Sequence, residues 1–216
     1  MGVVALDGYV LIVRGKDAIA FVNGLSTNKI EGTCTTVFTN SIAKIIDMVD
    51  VIDMESFIAL VGFGPNKNAI LSHLIPRILG QDVQITDASG SNSILLSTEN
   101  LDVENGVTKV QTFRGWLIIS PYGKEPDVTM NESEFTDWRI ENMIPHPGSE
   151  ITSANHPYAC GLGHLVHEDK GCYIGQEILA RMMSRGRQGK ELIREKNPVT
   201  DATSIGSTHS LAIRRC

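Results

Sequence analysis

The sequence is short of basic charge. Lysine and arginine number 19 against 25 aspartates and glutamates, a formal net charge of −6. A general nucleic-acid binder, which needs a basic surface to neutralise phosphates, is therefore excluded. It is short of cysteine as well. Cys34, Cys160, Cys172 and Cys216 form no C-x-x-C pair, which is too sparse for a disulfide framework and wrongly spaced for a zinc ribbon. No apolar run reaches the roughly 18 residues that a membrane helix needs. The opening MGVVALDGYVLIVRGKD carries Asp7 and lacks a basic n-region and a cleavage site, so it does not read as a signal peptide. A soluble chain in a reducing, cytoplasmic setting is the expectation.

What remains is an ordinary globular composition: 216 residues, 42% hydrophobic and 20% charged, enough for one large or two small domains with a core. Tyr9 to Arg14 reads as a β-rich run ending at Gly15, and Asp17 to Asn23 as a short helix with Ala18, Ile19, Phe21 and Val22 on its apolar face. Lys44 to Asp53 and Phe57 to Phe63 read as a hairpin about Met54-Glu55-Ser56. Asp47, Asp50 and Asp53 punctuate its first strand, and at least two of them are expected at a solvent face or a strand end. A helix follows from Gly64-Pro65-Asn66 to about Leu79, with Pro76 predicted to kink or end it. Val83 to Thr86, Ser93 to Ser97 and Thr112 to Ser120 are further strands, while Thr98 to Lys109 carries no clear signal. Asn131 to Asn142 has the Asn-x-x-Glu spacing of a capping box, with Asn131 at the cap and Glu134 three residues on.

The stretch Asp169 to Gly186, DKGCYIGQEILARMMSRG, has the densest chemistry. Gly171 and Gly175 allow a tight turn. Gln176 to about Arg185 is rich in helix formers, with Ile178, Leu179, Met182 and Met183 at helical spacing. Cys172 thus falls in a glycine-bounded turn before a helix, and the helix tip together with Lys170 would favour its thiolate. Arg181, Arg185, Arg187, Lys190, Arg194 and Lys196 then form a basic cluster, which suits an anionic partner. Four histidines, His146, His156, His164 and His167, contain one close pair, His164-x-x-His167. With no acid or cysteine completing it, no metal site is expected.

Lys170-Gly171-Cys172-Tyr173-Ile174-Gly175-Gln176-Glu177 resembles the K-G-C-Y-x-G-Q-E signature of the YgfZ family. These are folate-binding proteins related to the T-protein, the aminomethyltransferase of the glycine cleavage system. The resemblance continues in Ala180-Arg181 and Arg185-Gly186, in the opening Gly15-Lys16-Asp17-Ala18…Phe21…Gly24…Thr27-Asn28, and in Arg139-Ile140-Glu141, which is similar to the family's R-x-E-x-G segment with Met143 in place of the glycine. It implies an α+β fold with ferredoxin-like units around a central folate cleft. It also implies residues 1–188 as the folate-binding domain and 189–216 as a shortened remnant of a C-terminal β-barrel, contributing one or two strands.

The function so implied is tetrahydrofolate-dependent support of iron–sulfur cluster assembly or repair, serving an iron–sulfur client protein among enzymes that modify tRNA. By the same resemblance, Cys172 and Lys170 would carry the chemistry, as nucleophile or transient iron ligand. Asp47, Arg139, Glu141, Tyr173 and Gln176 would bind tetrahydrofolate or a one-carbon derivative, with Glu141 on the pterin. Three departures bear on the rival reading, a one-carbon (aminomethyl) transferase, one of them being Cys172-Tyr173 with Gln176 where the T-protein more often has Asp-Phe and Arg. Where the T-protein has paired aspartates this chain has Asp47-Met48, and where it has P-x-E this chain has Pro157-Tyr158-Ala159. A non-catalytic folate-binding scaffold is the remaining alternative.

Overall fold

The computed structural model describes residues 1–186 and 188–216; the expectation for Arg187 lies outside the described residues. The fold is mixed α/β with antiparallel sheets. Strand β1 (Val3–Leu6) and strand β2 (Gly8–Arg14) follow one another with Asp7 between them, yet belong to different sheets. The first helix, α1 (Ala18–Leu25), leads to β3 (Cys34–Thr39), β4 (Ile45–Asp53) and β5 (Ile58–Phe63). Then come α2 (Lys67–Leu74), a 3-10 turn at Ile75–Arg77 and β6 (Gln84–Asp87). The α-helix stops one residue before the 3-10 turn that holds Pro76, because a proline inside a helix removes a donor and clashes with the preceding turn.

These strands make a five-stranded sheet in the order β3-β4-β5-β2-β6, antiparallel throughout. Its β5 strand is buried at every position, as expected of a strand covered on both faces. On one face Leu11, Val13, Val49, Val51 and Leu60 pack against Phe21 and Val22 of α1 and Ile70 and Leu74 of α2. On the other, Val10, Ile52, Val61 and Phe63 meet Ile94, Leu117 and Ile119 of a second sheet.

The second sheet has the order β1-β7-β9-β8, with β7 (Asn92–Ser97), β8 (Thr108–Thr112) and β9 (Gly115–Pro121). Helix α3 (Glu132–Glu141) lies against it through Val4, Leu96, Met130 and Phe135. Side chains alternate along a strand, so Ile94 and Leu96 share a face, as do Val4 and Leu6. That one face of the second sheet therefore receives both α3 and the five-stranded sheet, side by side. A cleft opens beside α3, lined by β1 and residues 202–205. Helix α4 (Gln176–Ser184) and a small three-stranded sheet complete the chain, the latter from β10 (Glu191–Lys196), β11 (Ser204–Ile205) and β12 (His209–Arg214) in the order β10-β12-β11. The tail thus gives three strands where one or two were expected.

Two of the three β4 aspartates depart from their expected exposure. Asp47 and Asp50 are 0% and 1% exposed, and Asp53 alone reaches solvent. Burial of a carboxylate demands partners. Asp50 takes the Arg114 guanidinium and the Thr35 hydroxyl between the two sheets, and Arg114 in turn lies 4.0 Å over the Phe63 ring.

Candidate functional site

The cleft lined by β1, α3 and residues 202–205, with Asp7 and Gly64 at the edge of the five-stranded sheet, has a volume of about 770 Å³. Val4, Leu6 and Phe135 supply apolar wall; Asp7, Arg139 and His146 supply polar groups. The C-terminal segment closes one side through residues 202–205, and Val128 and Ile205 stand exposed at its rim, 56% and 71% respectively.

The buried edge of this cleft is held by Glu150, which is fully buried. Its carboxylate accepts from the hydroxyls of Thr203 (2.6 Å) and Ser204 (2.7 Å) and from the His146 amide (3.0 Å), and lies 3.5 Å from Arg139. Arg139 also donates to the Ile144 carbonyl at 3.1 Å and the Ser204 hydroxyl at 3.2 Å. A buried charge pair with its remaining lone pairs satisfied is the arrangement that survives desolvation. This network pins β11 to α3 and fixes the cleft wall. Burial first, then the charges of Arg139 and Arg114, push the His146 imidazole down to about 4, so it is neutral at physiological pH.

Of the residues expected to bind ligand, Arg139 lines the cleft and Glu141 does not. Positions two apart on a helix point about 200° apart, so a helical R-x-E cannot send both side chains to one side. Glu141 faces outward to β10 and β12, pairing with Arg194 at 2.7 Å and His209 at 3.3 Å. Asp47 lies on the helix-covered face of β4. It accepts from the Tyr9 hydroxyl (2.6 Å), the Asn66 side-chain amide (3.0 Å) and the Met48 amide (2.9 Å). Burial raises its pKa above the usual carboxylate range, against the lowering effect of those donors. Tyr173 and Gln176 line a separate hollow of about 230 Å³ with Tyr158, Val166 and Met183. The expected set is thus distributed over several places rather than gathered in one cleft.

The octapeptide around Cys172 forms a clasp. Lys170 donates to the carbonyls of Asn23 and Ser26 at 2.6 Å and of Asn28 at 2.7 Å, tying the motif to the end of α1. The Ile174 carbonyl accepts from the Thr39 hydroxyl at 2.6 Å, tying it to β3. Tyr173 packs with Ala43, Tyr158, Val166 and Leu179. Gly175 adopts a φ of +87° with Asn40 and Thr39 so close that a Cβ would meet the Asn40 carbonyl oxygen at 2.7 Å. Lys170 therefore differs from its expected role: its ammonium is spent on three carbonyls rather than on Cys172. Burial lowers its pKa to about 8. Cys172 itself is exposed at the surface of the clasp, lining neither the cleft nor the hollow. In the basic cluster, Arg181 is paired with Glu177 and Arg194 with Glu141, which removes two of its charges from service to an anion.

Sequence reasoning gave Asp7, His146 and Glu150 no place in a cleft. Asp7 was read only as a charge in the opening stretch, and no local pattern marks a residue that joins two sheets. His146 and Glu150 lie in the loop after α3, where His146 meets the Phe135 ring and Glu150 bonds Ser204 of β11, far along the chain.

No family model matches the chain. A chloroplastic protein of Arabidopsis thaliana that carries the description "putative transferase" is 24% identical over 217 residues, covering 80% of this chain and 50% of that protein. The chain thus spans half the length of that relative. Among solved structures, the glycine cleavage system aminomethyltransferase T from Bartonella henselae superposes with a TM-score of 0.79 at 15% identity, covering 99% of this chain and 78% of that one. The chain has a T-protein-like fold. No helix among the described residues is long and apolar enough to cross a membrane.

Proposed function

We propose that the protein binds a reduced folate in the cleft lined by β1, α3 and residues 202–205. The observation that carries this reading is the T-protein-like fold together with a cleft of about 770 Å³, a volume within the range of small-molecule sites. The residues present fit the group. Phe135 and Leu6 offer flat apolar wall for a pterin, Arg139 and Glu150 hold that wall rigid, and Val128 with Ile205 gives an apolar mouth for an aromatic stem. A bound tetrahydrofolate would supply a carrier for a one-carbon unit. The order β6-β2-β5-β4 supports a ferredoxin-like reading of the first unit, since β2 and β4, joined through α1 and β3, enclose β5. Residues 189–216 read as a shortened C-terminal β element.

The finer assignment is of YgfZ type: support of iron–sulfur cluster assembly or repair in a cytoplasmic setting, with a client among enzymes of tRNA modification. The octapeptide supports it. Its Lys170, Tyr173 and Gly175 build the clasp, which leaves Cys172 as the group free to meet iron or a client protein at the surface. An aminomethyltransferase or other one-carbon transferase is the second reading, favoured by the fold shared with the aminomethyltransferase of Bartonella henselae and by the word transferase in the description of the Arabidopsis relative. Against it, Asp47 already holds three donors and has Met48 where a second acid would stand.

The test is a calorimetric titration of the full chain with tetrahydrofolate and its one-carbon derivatives, repeated after thiol alkylation. Saturable binding that survives alkylation is expected, because Cys172 does not line the cleft. Absence of binding to any reduced folate would overturn the reading.

A further inference from the structure

We propose that the hollow beside α4 is a docking pocket for a partner polypeptide, which inserts a tyrosine side chain with basic residues next to it. This stands apart from the folate reading, since the hollow shares no lining residue with the cleft. Its size is the first argument. At about 230 Å³ it is smaller than the roughly 300–1,000 Å³ of a pocket that encloses a whole small molecule, but it has room for one ring. A single aromatic side chain seated in such a pocket is a common anchor of a protein interface. The walls suit a ring. Tyr158, Val166 and Tyr173 are buried, and Met183 stands 41% exposed at the edge, where an unbranched thioether can adapt to an aromatic guest.

The polar groups say what the ring must carry. Tyr173 is only 8% exposed, yet among the described residues no hydrogen bond engages its hydroxyl. A polar group so placed costs stability until it finds a partner. Its ring is fixed, with the Lys170 ammonium 5.2 Å from the centroid and Leu179 and Val166 packed around it. Burial, then the neighbouring Tyr158, push its pKa up to about 12, so it stays a neutral O–H donor. Tyr158 donates to the Met183 sulfur at 3.3 Å, a weak acceptor. The hollow therefore has two O–H donors in its lining, one idle and one on a poor partner. It suits a flat apolar body with an oxygen acceptor at its tip. Tyrosine fits that description; phenylalanine has no acceptor, and the indole N–H of tryptophan only donates.

Charge supplies the second part of the proposal. Glu168 lines the hollow and is exposed, and Asp169 beside it is exposed as well. Among the described residues no ion pair engages either carboxylate. Lys170, the next residue, is buried and spent on three carbonyls, and Arg181 of α4 is paired with Glu177. This side of the hollow suits a basic neighbour of the inserted ring and disfavours an acidic one. Because Tyr173 follows Cys172 directly, a partner anchored here lies next to the exposed thiol of the clasp.

Nitrogen-edited NMR of the full chain tests this, titrating the blocked peptide acetyl-Lys-Tyr-Lys-amide and its counterparts with phenylalanine or alanine at the centre. The tyrosine peptide should shift the amides of residues 166–168 and 173–184 saturably. It should bind about threefold or more tighter than the phenylalanine peptide, the worth of one hydrogen bond. Tyr173→Phe should remove that difference and stay folded by circular dichroism, since its hydroxyl has no partner among the described residues to lose. Ala180→Leu, at an exposed helical position in the lining, should fill the hollow and abolish binding of both peptides. Glu168→Gln should weaken the tyrosine peptide about twofold, the range of an exposed charge pair. A wild type with no saturable shift at the hollow, an alanine peptide that binds as tightly as the tyrosine one, binding that persists in Ala180→Leu, or a preference for tyrosine that survives Tyr173→Phe would each overturn the proposal. An affinity that Glu168→Gln leaves unchanged would overturn its basic part.

Discussion

Single residues decide what the cleft can hold. The neutral His146 and the buried His73 illustrate how. Both imidazoles are pushed down to about 4, in each case chiefly by burial and then by nearby arginines, Arg139 and Arg114 for the first and Arg77 for the second. An unfolded histidine titrates near 6.5, so between about pH 4 and 6.5 the unfolded chain binds protons that the folded chain refuses. Stability must then rise with pH through that window and fall on acidification, by at most about 1.4 kcal/mol per pH unit for each histidine. Urea denaturation at a series of pH values should show this slope, and His73→Phe should flatten part of it. A stability independent of pH across that range would mean that both rings accept protons in the folded state. Lys170 teaches the complementary point. Its place beside Cys172 in sequence suggested electrostatic activation, but three carbonyls at the end of α1 offer a closer set of acceptors than a single thiol does.

Elements were legible where they obeyed a period. The hairpin of β4 and β5, helix α3 with its reciprocal Asn131–Glu134 cap, and helix α4 all lie where spacing placed them. Strand β3 was not read, because its buried positions include threonines in place of aliphatics. Their hydroxyls are satisfied by partners remote in sequence, such as Asp50 for Thr35 and the Ile174 carbonyl for Thr39. Strand β8 is half-buried with a polar composition, and β1 is too short to show alternation. The clasp was legible as composition but not as geometry. Gly175 is where its turn is most constrained: a side chain there would adopt a left-handed φ and press on the Asn40 carbonyl. Gly175→Ala should therefore destabilise the protein by about 1–3 kcal/mol, visible as a lowered unfolding midpoint with an unchanged denaturant slope. An unchanged midpoint would show that the start of α4 can shift freely and that the clasp is loose.

At the scale of the whole molecule, the cleft exists because two different bodies share one face of the second sheet. Helix α3 and the five-stranded sheet cover that face side by side, Asp7 marks the line where the chain crosses between them, and the segment before and through β11 closes the gap. None of this was visible in any local window, since it depends on contacts such as Glu150 with Ser204, 54 residues apart. The resemblance in the octapeptide pointed to the T-protein-like fold that the solved neighbour shares. Only Arg139 of the expected ligand contacts faces the cleft, for the helical reason that sends Glu141 the other way.

The most direct measurement is hydrogen exchange of the full chain with and without saturating 5-formyltetrahydrofolate. The account predicts slowed exchange at the amides of residues 128–130 and 202–205, which flank the cleft mouth. Protection confined to the hollow beside Tyr173 and Gln176, or no protection anywhere, would contradict it.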